Sequence, residues 1–347
     1  MTAQQPLRKG SKIVIRGDGA AAWCCAHLLT RAGFKPVLQR IPRPRLPAIM
    51  LSEAALALIR EVFERPDLFH AAPRITRRVV KWGRNGEAVA FDHAAVVVSE
   101  RELLSQLERE MELPDEPAGD EGDFTIFTSR PLPPGTVEHC FGSRIASAAQ
   151  VRLKDARDSA SCWIESLEDG WLFLIPNSVE SGWLLSVGCS VHAIMERSNL
   201  IAGRIAFMSG PSGQFPASPR IVSPLCGPRW LACGTAGMAF DPICGDGTAH
   251  AVREAILAAA VVGAISTGGA AEELLCHYQA RLTVGFQRHL AASLDFYRSG
   301  NEGLWWEKEL EFLRQGLEWC AGKLNGYGAF RYRLSGFELR SIDNKLA

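Results

Sequence analysis

Residues 231–247 contain the pattern that most constrains the fold of this chain. An apolar strand runs into a turn of small residues, and an Asp-Pro pair is followed by Gly245-Asp246-Gly247. An alanine-rich helix is predicted from about Thr248 to Val262. A helix that begins at such a turn presents unpaired backbone N–H groups and the positive end of its dipole, so an anion can bind there.

A second glycine-rich turn lies near the start of the sequence. Lys12 to Ile15 predict a short strand, Gly17-Asp18-Gly19 predict a turn, and the apolar residues up to Arg31 predict a helix. A second strand is expected at Pro36 to Arg40. This βαβ unit has the length and the turn that bind a dinucleotide.

Each small residue of this turn has an expected role. Gly17 allows the tight turn, and Gly19 lets the backbone approach a pyrophosphate. Ala22 stands where the third glycine of the fingerprint packs the helix against the strand. We therefore assign all three residues to cofactor binding.

The end of the second predicted strand argues against NAD as the resident cofactor. NAD sites place Asp or Glu there to bind the ribose hydroxyls, whereas this strand ends in Arg40. We expect Arg40 to contact the adenosine half of the cofactor. Arg43 and Arg45 follow in a proline-rich segment, and two interpretations stay open for them: contact with the adenosine half, or a solvated turn.

Together the two turns resemble the flavin-binding motifs of FAD-dependent monooxygenases of the hydroxybenzoate-hydroxylase type. The late motif of that family usually reads Gly-Asp-Ala, with the Asp on the ribityl chain, and Thr235 stands at that position here. Asp241 begins the Asp-Pro-x-x-Gly-x-Gly part of the motif. The resemblance implies that Gly245 and Gly247 place a helix N-terminus against the N1–C2=O edge of the flavin, which stabilises the anionic reduced form.

Further motifs strengthen the resemblance. Gly170 to Pro176 is similar to the Trp-x-Trp-x-Ile-Pro signature of flavin-dependent halogenases, with Phe173 in place of the second Trp. Arg101 begins a predicted helix where many of these enzymes contact FAD. Within the superfamily, the Trp82-Gly83 pair with the run Val96 to Glu100, and the closing segment 330–337, resemble the small flavoproteins that help to install tryptophylquinone cofactors.

The resemblance implies a function. It implies FAD as the cofactor and hydroxylation of an aromatic ring through a flavin C4a-hydroperoxide, with a Trp side chain of a partner protein as the suggested substrate. NAD(P)H bound transiently, or a separate reductase, would supply the electrons. Two alternatives stay open: a halogenase, which would use a lysine such as Lys81, and a non-catalytic flavin-binding accessory protein. No catalytic base is assigned among His93, His139, His250 and Asp246.

Composition excludes some classes of partner. The 347 residues are 47% apolar and carry 38 basic and 38 acidic side chains, which gives no electrostatic preference for nucleic acid or a membrane surface. The longest apolar run, Ala255 to Ile265, is short for a bilayer span. Ten cysteines without a C-x-x-C pair indicate small buried hydrophobes in a reducing cytoplasm rather than a zinc site.

The predicted fold class is α/β, with a Rossmann-like FAD-binding domain interleaved with a β-sheet substrate domain. The FAD-binding domain is assigned to residues 1–70, 99–130 and 221–270. The substrate domain is assigned to residues 71–98 and 131–220. Residues 271–347 are assigned to a C-terminal helical region and arm.

Overall fold

The computed structural model describes residues 7–84, 86–109, 111, 113, 122–328 and 330–342. These residues form a mixed α/β fold with two large sheets and a helical C-terminal region, which confirms the predicted fold class. The last residues of the expected C-terminal arm, 343–347, lie outside the described part.

Strands and helices follow one another along most of the described chain. The strands are β1 (Lys12–Arg16), β2 (Lys35–Gln39), β3 (Ile49–Ser52), β4 (Arg74–Lys81), β5 (Val89–Val98), β6 (Phe124–Phe127), β7 (Val137–Cys140), β8 (Ile145–Leu153), β9 (Ser161–Leu167), β10 (Gly170–Pro176), β11 (Ser181–Val187), β12 (Ile205–Met208), β13 (Gly213–Pro216), β14 (Arg220–Ser223), β15 (Cys226–Gly227), β16 (Trp230–Ala232), β17 (Met238–Ala239), β18 (Tyr332–Ser335) and β19 (Glu338–Ser341). The α-helices are α1 (Ala20–Arg31), α2 (Glu53–Phe63), α3 (Glu100–Glu108), α4 (Val191–Met195), α5 (Gly247–Ser266), α6 (Ala271–Arg298) and α7 (Leu304–Leu324).

The first sheet has the strand order β15-β16-β6-β1-β2. Strands β16, β6, β1 and β2 run parallel, and β15 joins antiparallel to β16. Its interior strand β1 carries three consecutive buried apolar residues, Ile13 to Ile15, which is typical of a parallel sheet covered on both faces. We call it the parallel sheet. The predicted βαβ unit is its β1, α1 and β2.

The second sheet has nine strands and is here called the large sheet. Its order is β12-β8-β11-β10-β9-β4-β5-β3, and β13 adds to β8. One face carries Leu172, Leu174 and Leu184 in a core with α4. The other face carries Phe173 and Leu185. Strand β3, from the segment assigned to the FAD-binding domain, pairs with β5, so the two expected domains share this sheet.

Helices α5, α6 and α7 pack beside the two sheets. Within the described residues, α5 alone has the length and apolar composition that a membrane span needs, and 61% of its most apolar window is buried inside the fold. Trp306 of α7 is almost fully buried, and its Nε1 donates to the Leu167 carbonyl at 2.9 Å. Trp306 therefore fixes α7 to the large sheet.

A buried ion network ties the late segments to the large sheet. Arg144, which precedes β8, is 1% exposed. Its Nε donates to Glu309 Oε2 of α7 at 2.8 Å, and its Nη1 donates to Asp241. Its Nη2 donates to the Phe141 carbonyl at 3.1 Å, and the guanidinium lies 4.6 Å from the ring centre of Tyr297. One side chain thus joins α6, α7 and the segment after β17.

We expect Arg144→Met to destabilise the protein by about 3–5 kcal/mol, because Asp241 and Glu309 would be left as buried charges without their partner. Urea unfolding would measure the change. Arg157→Met is the matched control, since Arg157 pairs with Asp155 at the surface, and it should change the free energy of unfolding far less than Arg144→Met does. Equal effects of the two substitutions would contradict this prediction.

Candidate cofactor and substrate site

A cavity of about 400 Å³ lies between the parallel sheet and the large sheet. The two glycine-rich turns follow β1 and β16, so both lie at the carboxyl ends of parallel strands. Ligands bind at this edge in open α/β sheets. The cavity is therefore the first candidate for the functional site.

The N-terminal turn forms one end of the cavity. Gly17 has a φ of +126°, and a Cβ there would clash with Thr128 Oγ1 and lie 2.6 Å from Ser129 Oγ. Only glycine fits. Gly19 lines the cavity just before α1, and a Cβ on it would lie 3.1 Å from Nη2 of Arg43. Ala22 is fully buried on α1 and lies outside the lining.

The late turn lies beside the N-terminal turn, because both turns contact Thr128. Thr235 lines the cavity, and its Oγ1 donates to the Thr128 carbonyl at 3.2 Å. Asp241 accepts a hydrogen bond from the Ile243 N–H at 2.9 Å, which fixes the short 3-10 helix that follows. Gly245 adopts the left-handed conformation (φ +63°), and a Cβ on Gly247 would meet no atom within 4 Å. The N-terminus of α5 therefore opens into the cavity.

Five of the nine sequence-predicted site residues line this cavity: Gly19, Thr235, Asp241, Gly245 and Gly247. Arg40 lies outside the lining, where its guanidinium contacts Glu108 and lies 5.1 Å from the ring centre of Trp23. Arg101 lies outside the lining as well, exposed on α3. Contact of Arg40 and Arg101 with a cofactor stays a prediction.

Two ion pairs beside the N-terminal turn were not predicted, and the first of them, Arg43 with Glu100, lines the cavity. Arg43 Nη1 donates to Glu100 Oε2 at 3.0 Å, and Arg45 Nη1 donates to Asp18 Oδ1 at 3.0 Å. Both carboxylates are 4% exposed. Both arginines are thus partly exposed and also paired with buried carboxylates, and their contact with the adenosine half stays a prediction. Asp18 lies inside the Gly-x-Gly turn, which was the available signal for its pairing.

Three residues of the lining carry buried polar atoms that make no hydrogen bond within the described residues. These atoms are Arg43 Nε, Ser129 Oγ and Glu254 Oε1. Glu254 Oε2 accepts the Gly234 N–H at 2.7 Å, and burial raises the pKa of Glu254 to about 8. Glu254 is thus neutral at pH 7 and does not repel an anion. The Arg43 guanidinium, the Ser129 hydroxyl and the open N-terminus of α5 are groups that fit a bound diphosphate.

An apolar wall on the large sheet faces the turns. Phe173 pairs with Leu185 and Ile175 with Trp183 across β10 and β11, and all four side chains line the cavity. Phe215 of β13 lines the mouth and is 36% exposed. An aromatic ring would be held between this wall and the two turns.

Of the four candidate bases, Asp246 is the one that lines the cavity. It stands at the N-cap position of α5 but makes no capping bond, and its Oδ2 accepts from Arg253 Nη1 at 2.8 Å. Burial lowers the pKa of His93, His139 and His250. His250 stacks on Phe240 with ring centres 4.1 Å apart. This contact explains His250 as a packing residue.

Lys81 lies outside the lining of the cavity. Its Nζ is 3.8 Å from Oε1 of Glu165, a fully buried carboxylate on β9. The Lys81 ammonium is therefore held by the large sheet rather than by the cavity.

No family model matches the chain, and no curated protein sequence matches it. Solved structures of flavin-dependent enzymes share its fold. One is QhpG, described as a peptidyl tryptophan dihydroxylase essential for tryptophylquinone cofactor biogenesis, with a TM-score of 0.71 and 18% identity over 86% of this chain and 78% of that chain.

Two halogenases are similar in the same way. CmlS, a flavin-dependent halogenase, has a TM-score of 0.72 at 16% identity, covering 91% of this chain and 71% of that chain. The myxobacterial chondrochloren halogenase CndH, a FAD-dependent enzyme, has a TM-score of 0.67 at 14% identity, covering 91% of each chain. The resemblance drawn from the two turns is thereby confirmed at the level of the fold.

We expect Gly19→Val to abolish retention of FAD, because the added side chain would occupy the space between the turn and Arg43. Flavin absorbance of the purified variant measures this. Gly210→Val is the control, since a Cβ on Gly210 meets nothing within 4 Å. Equal flavin content in the Gly19 variant and the wild type would disprove the assignment.

Glu254 predicts a pH dependence of stability. The folded protein holds its proton up to about pH 8, whereas the unfolded chain releases it near the ordinary pKa of 4.5. The free energy of unfolding therefore falls as pH rises between these values, by at most about 1.4 kcal/mol per pH unit. Glu254→Gln should remove this part of the decline in urea unfolding. An unchanged slope would show that Glu254 titrates normally.

Proposed function

We propose that this chain is an FAD-dependent monooxygenase that hydroxylates an aromatic ring. The observation that carries the proposal is that both glycine-rich turns and the wall of Phe173, Ile175 and Trp183 line one cavity. The likeness in fold to flavin-dependent hydroxylases and halogenases supports it.

The residues present fit FAD. Gly17 and Gly19 shape the turn for the diphosphate, and Arg43, whose charge is paired with Glu100, offers its Nε–H as a hydrogen-bond donor. Thr235 is the proposed partner of the ribityl chain. Gly245 and Gly247 direct the N-terminus of α5 at the flavin ring.

Other residues support the cofactor less directly. Asp241 holds the turn before α5, and Ala22 packs α1 beneath the N-terminal turn. Arg40 is the proposed contact of the adenosine half, beyond the cavity, and Arg101 is kept as a proposed contact at the cofactor's edge. FAD, once reduced by NAD(P)H or by a separate reductase, supplies the activated oxygen.

The apolar wall binds and orients the substrate ring. Phe173 and Ile175 hold the substrate ring in a fixed plane, and Trp183 excludes water from its outer face. Asp246 is the proposed acceptor for a substrate N–H or O–H, because its carboxylate lines the cavity and is not used for capping.

The proposed substrate is a Trp side chain of a partner protein, modified during quinone cofactor biogenesis. Two observations support it: the fold is shared with a peptidyl tryptophan dihydroxylase, and Phe215 lies partly exposed at the mouth of the cavity. A side chain projecting from another protein can therefore enter.

Halogenation is the second candidate, supported by the fold of two halogenases and by the position of Phe173 and Ile175 on the wall. The contact of Lys81 with Glu165 favours hydroxylation instead. A non-catalytic accessory protein is the third candidate.

Domain limits and location are proposals too. We retain the division into FAD-binding, substrate and C-terminal segments, with β3 shared between the first two. We also propose a reducing cytoplasm, because the Cys25 and Cys233 sulfur atoms lie 3.9 Å apart as free thiols.

The test is co-expression with the protein encoded beside it, followed by mass spectrometry of that neighbour. We expect one or two added oxygen atoms, lost with Gly245→Val because a branched side chain is strained in the left-handed conformation. An added halogen that is lost with Lys81→Ala would favour the halogenase. A flavin that shows no reduction and consumes no oxygen would favour the accessory protein.

A further inference from the structure

Arg78 of β4 lies beside the candidate site, and sequence reasoning assigned it no role. Val80 pairs with Ile164, and Ile164 pairs with Phe173, so these side chains share one face of the large sheet. Arg78 precedes Val80 by two residues and therefore points to the same face. Its Nη2 lies 3.8 Å from the position that a Cβ on Gly245 would occupy.

The guanidinium of Arg78 is partly buried and has no acidic partner within the described residues. Its Nη2 lies 3.1 Å from Nε2 of His93, and its Nε is buried without any partner. A positive charge that is partly withdrawn from water and has no counter-ion is stabilised when a negative charge occupies the adjacent space.

The neighbours of Arg78 do not supply that charge. The pKa of His93 is lowered by burial and by Arg78 itself, so this ring is neutral. On β9, burial raises the pKa of the Cys162 thiol, and a contact with Arg78 offsets only part of that rise, so Cys162 is an uncharged neighbour. Asp246, beyond Gly245, pairs with Arg253 instead. The face of Arg78 that meets the Gly245 turn thus carries an unbalanced positive charge.

We propose that Arg78 is the counter-charge for the reduced flavin at the Gly245 turn, and this inference rests on the proposed function. Reduction by a hydride brings two electrons and one proton to the oxidised ring and leaves one negative charge on it. Arg78 is not altered in this step. The helix N-terminus supplies a partial charge at the same place, and Arg78 adds a full one.

The experiment compares Arg78→Gln with Arg77→Gln. Arg77 is the next residue along β4 and projects from the opposite face, so it controls for loss of a strand arginine. FAD binding is measured by titration of the apoprotein in the oxidised and in the reduced state. Arg78→Lys keeps a positive charge, and Arg78→Met is a second neutral variant if the Gln variant does not fold.

We expect Arg78→Gln to lower the preference for reduced over oxidised FAD at least about tenfold, which corresponds to about 30 mV in the two-electron midpoint potential. The absorption spectrum should also show that the reduced flavin stays protonated to a higher pH in Arg78→Gln than in the wild type. Arg78→Lys should lower this preference less, and Arg77→Gln should have the same preference as the wild type.

If Arg78→Gln and Arg77→Gln bind FAD normally and have the same preference for reduced over oxidised FAD, this inference alone would be overturned. Failure of the wild type to bind FAD in either state would overturn the proposed function together with it.

Discussion

The Arg144 guanidinium is the contact on which the rest of the architecture depends. It is buried together with Asp241 and Glu309, and each of these charges is acceptable only while the others are in place. The three residues lie directly before β8, in the segment before α5 and in α7. The folded state therefore requires all three charges together.

The site inherits its geometry from this network. Asp241 is held by Arg144 on one side, and its backbone N–H donates to Nε2 of His289 at 2.8 Å on the other. The direction of the short 3-10 helix and of the start of α5 follows from that anchoring. Burial lowers the pKa of His289 to about 3, so the ring stays neutral and can accept this bond. The position of the turn is thus set by α6 as much as by its own glycines.

The glycine-rich turns were predictable because their requirements are local: a strand, a left-handed residue and a helix follow one another within a few positions. The apolar wall was not predictable in the same way, because residues 171–176 are all apolar and their pattern does not show which of them face the cavity. The ion pairs were not predictable. Arg43 finds Glu100, and Arg144 finds Glu309, only after distant segments have packed, and a sequence of evenly mixed charges does not say which pairs form. Arg78 was not predicted as a site residue, because the absence of an acidic partner is visible only in the folded structure.

Strand β13 contributes to the site but takes no part in the Arg144 network. In the described part of the chain it is paired to β8 alone, off the main path of the large sheet, yet it contributes Phe215 to the mouth of the cavity. Exchange of residues 213–216 would change the shape of the entrance without touching either the glycine-rich turns or the Arg144 network. Substitutions in this short segment can therefore change substrate preference while the contacts that stabilise the fold stay the same.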